Sequence, residues 1–179
     1  MTPQELDAVT LLINQHRTME DLLRQVAETE DEAKKKSLFV EAADQLTVHI
    51  KAEEEIFYPA VHRARTEDDL LEALEEHLSL KRLLADLLEL DPSEKAFEAK
   101  FKVLKEQTEH HHKEEEEHLF PAVMKLLDVP QRATLGDEML TRQASLTRLG
   151  EPRESVSGET EAAAPLPPER SNSIPASAR

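Results

Sequence analysis

The chemistry open to this chain rests on imidazole and carboxylate. Its 179 residues include eight His and no Cys, which excludes disulfides, thiolate nucleophiles and iron–sulfur clusters. Two of the His begin the same spacing, His49-Ile-Lys-Ala-Glu53 and His111-His-Lys-Glu-Glu115. A His and a Glu four residues apart share one face of a helix, and this donor pair suits iron, manganese or zinc. His16 and His77 sit among apolar residues at helical spacing: Leu12, Met19 and Leu23 around the first, Leu70, Leu74, Leu80 and Leu84 around the second.

The apolar stripes put these groups in the core. One runs Leu38, Ala42, Leu46, His49, Glu53, Ile56, Ala60, and another Phe97, Phe101, Leu104, Thr108, His111, Glu115, His118, Ala122; both follow the three-and-four spacing of a buried helical face. In each, a His and a Glu replace core hydrophobes. An interior carboxylate without a partner costs several kcal/mol, and breaking a buried charge pair about 3–5 kcal/mol. A metal ion removes that cost, and two metals are needed to use His16, His49, Glu53, His77, His111 and Glu115 as six ligands.

The elements that must position these residues are helices. Three Gly against 34 % charged residues is the composition of long helices, not of a sheet rich in turns. Caps and breakers divide the chain into a first helix from about Pro3 to Glu28 after the cap Thr2, and a second from about Ser37 to Ala64 that Pro59 kinks or loosens. A third runs from about Thr66 to Leu90, and a fourth from Asp91-Pro92-Ser93-Glu94 to about Leu127 with Pro121 inside it. Four long helices with short connections predict an all-α, antiparallel up-and-down four-helix bundle over residues 1–128. Residues 129–149 predict a short accessory helix. Residues 150–179, rich in Pro, Ser and Ala without periodicity, predict a disordered tail that the site does not need.

A duplication supports the bundle. Displacing the chain by 62 residues lays His49–Val61 on His111–Val123 with identity at 8 of 13 positions, and displacing it by 61 lays His16 on His77. A repeated hairpin folds with pseudo-two-fold symmetry about one centre. The midpoints of the pairs His16/His49, Glu53/His77 and His77/His111 fall near residues 32, 65 and 94, close to the three expected connections. The six side chains therefore reach one level of the core.

Other polar residues have plainer readings. The runs Glu53–Glu55 and Glu114–Glu117 are solvated faces apart from Glu53 and Glu115; His110 and His112 flank the site as rim residues. His118 lies inward, as an outer partner or an extra ligand. His62 is a surface residue, and Tyr58, whose repeat equivalent is Phe120, is packing, with a phenolate ligand as the other reading.

The pattern of a His, a His-x-x-x-Glu, a His and a second His-x-x-x-Glu resembles the hemerythrin-like family, also called the HHE cation-binding domain, over about residues 6–127. The resemblance extends to Phe57-Tyr58-Pro59 and Phe120-Pro121. It implies two non-haem iron ions with a bridging oxo or hydroxo group, held by the six residues named above, that meet dioxygen, nitric oxide or peroxide. The ferritin-like arrangement expects Glu-x-x-His, the opposite order. One position departs from the dioxygen carriers: Lys81 stands where they place a second His one turn along the third helix. The extra open coordination position makes sensing, peroxide handling or iron binding a better expectation than oxygen carriage. A module that binds or senses dioxygen, nitric oxide or iron, and an enzyme that turns over peroxide or nitric oxide, both fit the residues.

Charge and hydropathy limit the partners. A net charge of −16 repels phosphate backbones and anionic lipid, so neither nucleic acid nor membrane is an expected partner. With no basic-then-apolar leader at the N-terminus and no spanning apolar run, the expected location is cytoplasmic.

Overall fold

The computed structural model describes residues 7–65 and 67–168, and it is all-helical, with no strand among them. Helix α1, Ala8–Glu28, starts where Asp7 turns extended and its carboxylate accepts the Thr10 N–H at 2.9 Å. Among the described residues the first helix begins at Ala8; the expected start at Pro3 and the cap residues Thr2 to Glu5 lie outside the described residues. Helix α2, Glu32–Ala52, begins five residues before the expected Ser37, because Asp31 caps it by accepting the Lys34 N–H at 2.7 Å.

Both prolines act through the turns before them. After α2 comes a π turn, Glu53–Phe57, and then the short helix α3, Tyr58–Ala60. Helix α4 is Glu67–Leu88; α5, Lys95–Glu114, runs into a second π turn, Glu115–Leu119, and then α6, Phe120–Leu126. A proline has no N–H to give and its ring clashes with the carbonyl four residues back. Widening the preceding turn relieves this: the Tyr58 N–H reaches Glu53 O and the Phe120 N–H reaches Glu115 O, five residues back. Pro59 and Pro121 then sit in the first turn of the next helix, where no N–H partner is required. π turns of this kind are common at functional sites, and here each begins on one of the two core glutamates.

The extra residue also shifts the buried face. Phe57 and Tyr58 are buried at the end of the first π turn, and Leu119 and Phe120 at the end of the second, while His118 is exposed. A constant helical period places Ala60 and His118 inward instead.

The core has two apolar halves. One gathers Leu12, Phe57, Leu70, Leu74, Phe120 and Met139, the other Met19, Phe39, Leu46, Leu84, Phe97 and Leu104. His16, between Leu12 and Met19, and His77, between Leu74 and Leu80, lie at the boundary. A polar layer therefore crosses the middle of the core.

Helix α7, Val129–Leu149, is as long as α1 and opens with a capping box between Asp128 and Gln131. It packs on α1 and α2, and Arg132 fastens it by donating to Asp7 at 2.9 Å and to Leu127 O at 2.7 Å. The expected disordered tail requires correction. Pro152–Glu159 forms a 3-10 helix that buries Val156 in the second core half, and Arg153 pairs with Asp44 at 3.0 Å. One apolar side chain and a few ion pairs dock this segment, so it needs no amphipathic periodicity. Residues 169–179 of that expectation lie outside the described residues. Among the described residues, no helix is long and apolar enough to cross a membrane.

Candidate metal centre

The structure brings together all six residues singled out by spacing. Four of the five long helices each supply one of these His: α1 His16, α2 His49, α4 His77 and α5 His111, all 3 % exposed or less. Glu53 and Glu115, the first residues of the π turns, stand between them. Glu53 Oε1 is 3.0 Å from His49 Nε2 and its Oε2 is 3.2 Å from His77 Nε2. Glu115 Oε2 is 3.3 Å from His16 Nε2 and its Oε1 is 3.6 Å from His111 Nε2. Donor atoms of His16, His49, Glu53 and Glu115 lie within 4.8 Å of one another, as do those of Glu53, His77 and His111. There are thus two adjacent donor groups, and each carboxylate faces one His of either group.

These atoms suit cations better than they suit each other. His16 Nε2, His49 Nε2, both oxygens of Glu53 and Oε2 of Glu115 are buried without a hydrogen-bond partner. His49 Nε2 and Glu53 Oε1 are close enough to pair but not aligned for an N–H···O bond. His77 Nε2 and His111 Nε2 are 2.9 Å apart. Unpartnered buried polar atoms of this number are costly, and a pair of ions bound by imidazole and carboxylate would satisfy them. The donor set fits two metals.

An outer layer fixes the direction of each ring. His77 Nδ1 is 3.1 Å from Glu54 Oε1, and His16 Nδ1 is 2.8 Å from Glu116 Oε1. His49 Nδ1 is 2.9 Å from Gln15 Oε1, and His111 Nδ1 is 2.5 Å from Glu76 Oε2. The repeat is visible here: Glu54 and Glu116 are 62 residues apart, Gln15 and Glu76 are 61. Each Nδ1–H donates outward, which leaves Nε2 free to face the centre. Glu54 and Glu116 are therefore not merely solvated faces, and Glu54 is 5 % exposed. Their identity across the repeat was the available signal.

Two residues break the symmetry. His112, expected at the rim, is buried; its ring stacks on His16 at 3.8 Å between centroids, and it joins His16 and His49 in a third donor group. Its Nδ1 is 3.1 Å from Glu20. Tyr58, expected as packing, sends its hydroxyl into the other half, donating to Glu115 Oε1 at 2.8 Å and lying 3.2 Å from His77 Nε2 and 3.3 Å from His111 Nε2. Their repeat equivalents are Ile50 and Phe120. One half thus gains an imidazole and the other a phenol.

The local charges move several proton affinities. Burial opposes ionisation of Glu53, but His49 and His77 overcome it and hold the carboxyl well below its usual range. Burial also opposes the His77 cation, yet Glu53 and Glu54 raise it to about 9, and Glu115 raises His16 in the same way. His112 goes the other way, to about 3, through burial and the neighbouring imidazoles. Burial, with Glu115 and Glu53 beside it, pushes the Tyr58 hydroxyl well above its usual value, so it remains a proton donor. Without metal, the neighbouring carboxylates favour the cationic form of His77.

The remaining candidates lie outside. His110 and His118 are exposed, and His62 is half-buried at the end of α3. His118 pairs loosely with Glu114 at 3.7 Å, so the inward placement read from the stripe is corrected. Lys81 is 4 % exposed and donates to Glu54 Oε2 at 2.8 Å. A cleft of about 330 Å³ between α4 and α5, rimmed by Glu72, His110, Glu114 and His118, reaches His111 and Glu115.

The fold agrees with the relatives of this chain. The profile of the hemerythrin HHE cation binding domain matches residues 7–123, and the chain belongs to that family. A crystal structure of a hemerythrin HHE cation binding domain-containing protein from Mycobacterium kansasii is similar with a TM-score of 0.69 and 26 % identity, over 83 % of this chain and 88 % of that one. A DNA nickase from a Nostoc species is 27 % identical over 148 residues, 82 % of this chain. The chain spans only 42 % of the length of that relative.

Proposed function

We propose that this chain is a non-haem di-iron protein that binds or senses dioxygen, nitric oxide or iron. His16 and His49 would hold one ion, His77 and His111 the other, with Glu53 and Glu115 bridging. The observation that carries the reading is the placement of each carboxylate, whose two oxygens face histidines of different donor groups. We read α1, α2, α4 and α5 as an antiparallel up-and-down bundle around this layer, with an oxo or hydroxo group as the third bridge. When bound, the pair would supply redox chemistry and open coordination positions; the chain holds, orients and shields it.

A second reading, turnover of peroxide or nitric oxide, draws on one observation. Tyr58 holds a proton 2.8 Å from Glu115 Oε1, in the half that the α4–α5 cleft reaches. Such a hydroxyl is placed to give a proton to a small ligand there. The two readings separate on one experiment: protein reconstituted with iron is mixed with air, with peroxide, or with nitric oxide and an added electron donor, and absorption and product are followed. Stoichiometric spectral change without turnover supports binding or sensing. Sustained oxygen or nitrous oxide production supports the enzyme.

The proposed partner is a small diatomic molecule or peroxide, in the cytoplasm. The charge of −16 gives no reason to carry DNA or an anionic membrane surface over to this chain.

A further inference from the structure

The segment Pro152–Glu159 crosses the outside of α2 and α4 as a strap, and its last residue touches a chain of side chains that ends in the metal centre. Glu159 Oε2 is 3.0 Å from Lys51 Nζ, and its Oε1 is 3.4 Å from Lys81 Nζ. Lys81 also donates to Glu54 Oε2 at 2.8 Å, and Glu54 Oε1 is 3.1 Å from His77 Nδ1. We infer that the strap is a positioning element of the metal centre, in which Glu159, through Lys81 and Glu54, sets the orientation of His77.

The argument rests on burial and on the symmetry of the repeat. Lys81 has a flexible stem and an ammonium group that is rarely buried unless paired on more than one side. Here Glu54 and Glu159 hold it from two directions. Glu54 is equally constrained, one oxygen on Lys81 and the other on His77, so the ring inherits the position of the lysine. The strap is independently fastened: Val156 is 1 % exposed, Arg153 pairs with Asp44, and Arg82 donates to Thr160 O at 2.8 Å. In the other half, the equivalent Glu116 is backed by Arg17, whose side chain is 55 % exposed. No strap covers it. Loss of Glu159 should therefore disturb His77 and spare His16.

This inference rests on the di-iron reading for its meaning but not for its test. In metal-free, full-length protein labelled with 15N-histidine, the exchange rates of the His77 and His16 Nδ1–H protons are compared with those of E159Q, a change at a part-exposed position that keeps the strap's apolar packing. The expected result is about tenfold faster exchange at His77, the size of losing about one hydrogen bond's protection, with His16 unchanged within about twofold. K81M should give the same selectivity with a larger effect. An unchanged His77 proton overturns the inference. Equal acceleration at both histidines also overturns it, because that reports general loosening. Should His77 respond while wild-type protein takes up no iron, the di-iron reading fails and the positioning role stands. In iron-loaded protein, E159Q should lose one of two ions to a chelator about tenfold faster than the other.

Discussion

Glu54 and Glu116 stand 62 residues apart and perform the same operation, each accepting the Nδ1–H of a histidine on the other hairpin: His77 at 3.1 Å and His16 at 2.8 Å. The pseudo-symmetry of the chain thus extends beyond the inner donors to the residues that aim them. Outer carboxylates of this kind fix the tautomer and increase the basicity of the inward nitrogen.

Glu54→Ala should weaken metal binding about 10–100-fold, whereas Glu55→Ala, which loses only its pairing with Arg142 on the surface, should not change it measurably. The measurement is competition against a chelator. Equal affinity of the two variants would remove the outer-layer role.

The triplet His110-His111-His112 separates by position. His110→Ala should retain both irons; His111→Ala should lose the ion of the His77 group. His112→Ala should alter the His16 group, with the metal content and the spectrum as readout. Iron loss confined to the His110 variant would contradict the placement of all three rings.

The pH dependence follows from His77 and His112. His77, raised to about 9 above an ordinary value near 6.5, stabilises the metal-free fold fully below about 6.5, and that contribution is lost as pH rises through about 9. His112, lowered to about 3, removes stability as pH falls from about 6.5 towards 3, because only the unfolded chain takes up its proton. Metal binding must displace the His77 proton, so affinity should increase with pH up to about 9. Calorimetric titration in buffers of different ionisation enthalpy counts the protons released. No release at pH 7 would contradict the assignment of His77.

Tyr58→Phe should lower the stability of the metal-free protein by about 1–3 kcal/mol, the usual loss when a buried carboxylate gives up a hydrogen bond. Chemical denaturation checks it. Iron content should stay near two per chain if the hydroxyl only donates to Glu115.

Much of this was legible in the residues themselves. His49/Glu53 and His111/Glu115 interrupt apolar stripes, the repeat aligns them, and the midpoint arithmetic brings His16 and His77 to the same level. The misplacements have separate physical causes. A period of 3.6 carried unchanged through Glu115–Leu119 turns His118 inward, whereas the π turn adds a residue and turns it out; Glu54 follows Thr47 and Ile50 on the ordinary helical period and was hidden as one of a run of glutamates. Pro59 and Pro121 marked the places but not the remedy. His112 was hidden because its repeat equivalent is Ile50. The strap was hidden because Val156 alone carries its apolar anchoring, and one residue has no period.

The central claim is that Glu53 and Glu115 bridge two irons. Its most direct test is elemental analysis and Mössbauer spectroscopy of protein reconstituted with iron-57, wild type beside Glu53→Ala and Glu115→Ala. The expected result is about two irons per chain, coupled to a diamagnetic ground state in the wild type, and less than half that content in either variant. A single uncoupled iron, stoichiometric zinc alone, or full iron retention in both variants would contradict it.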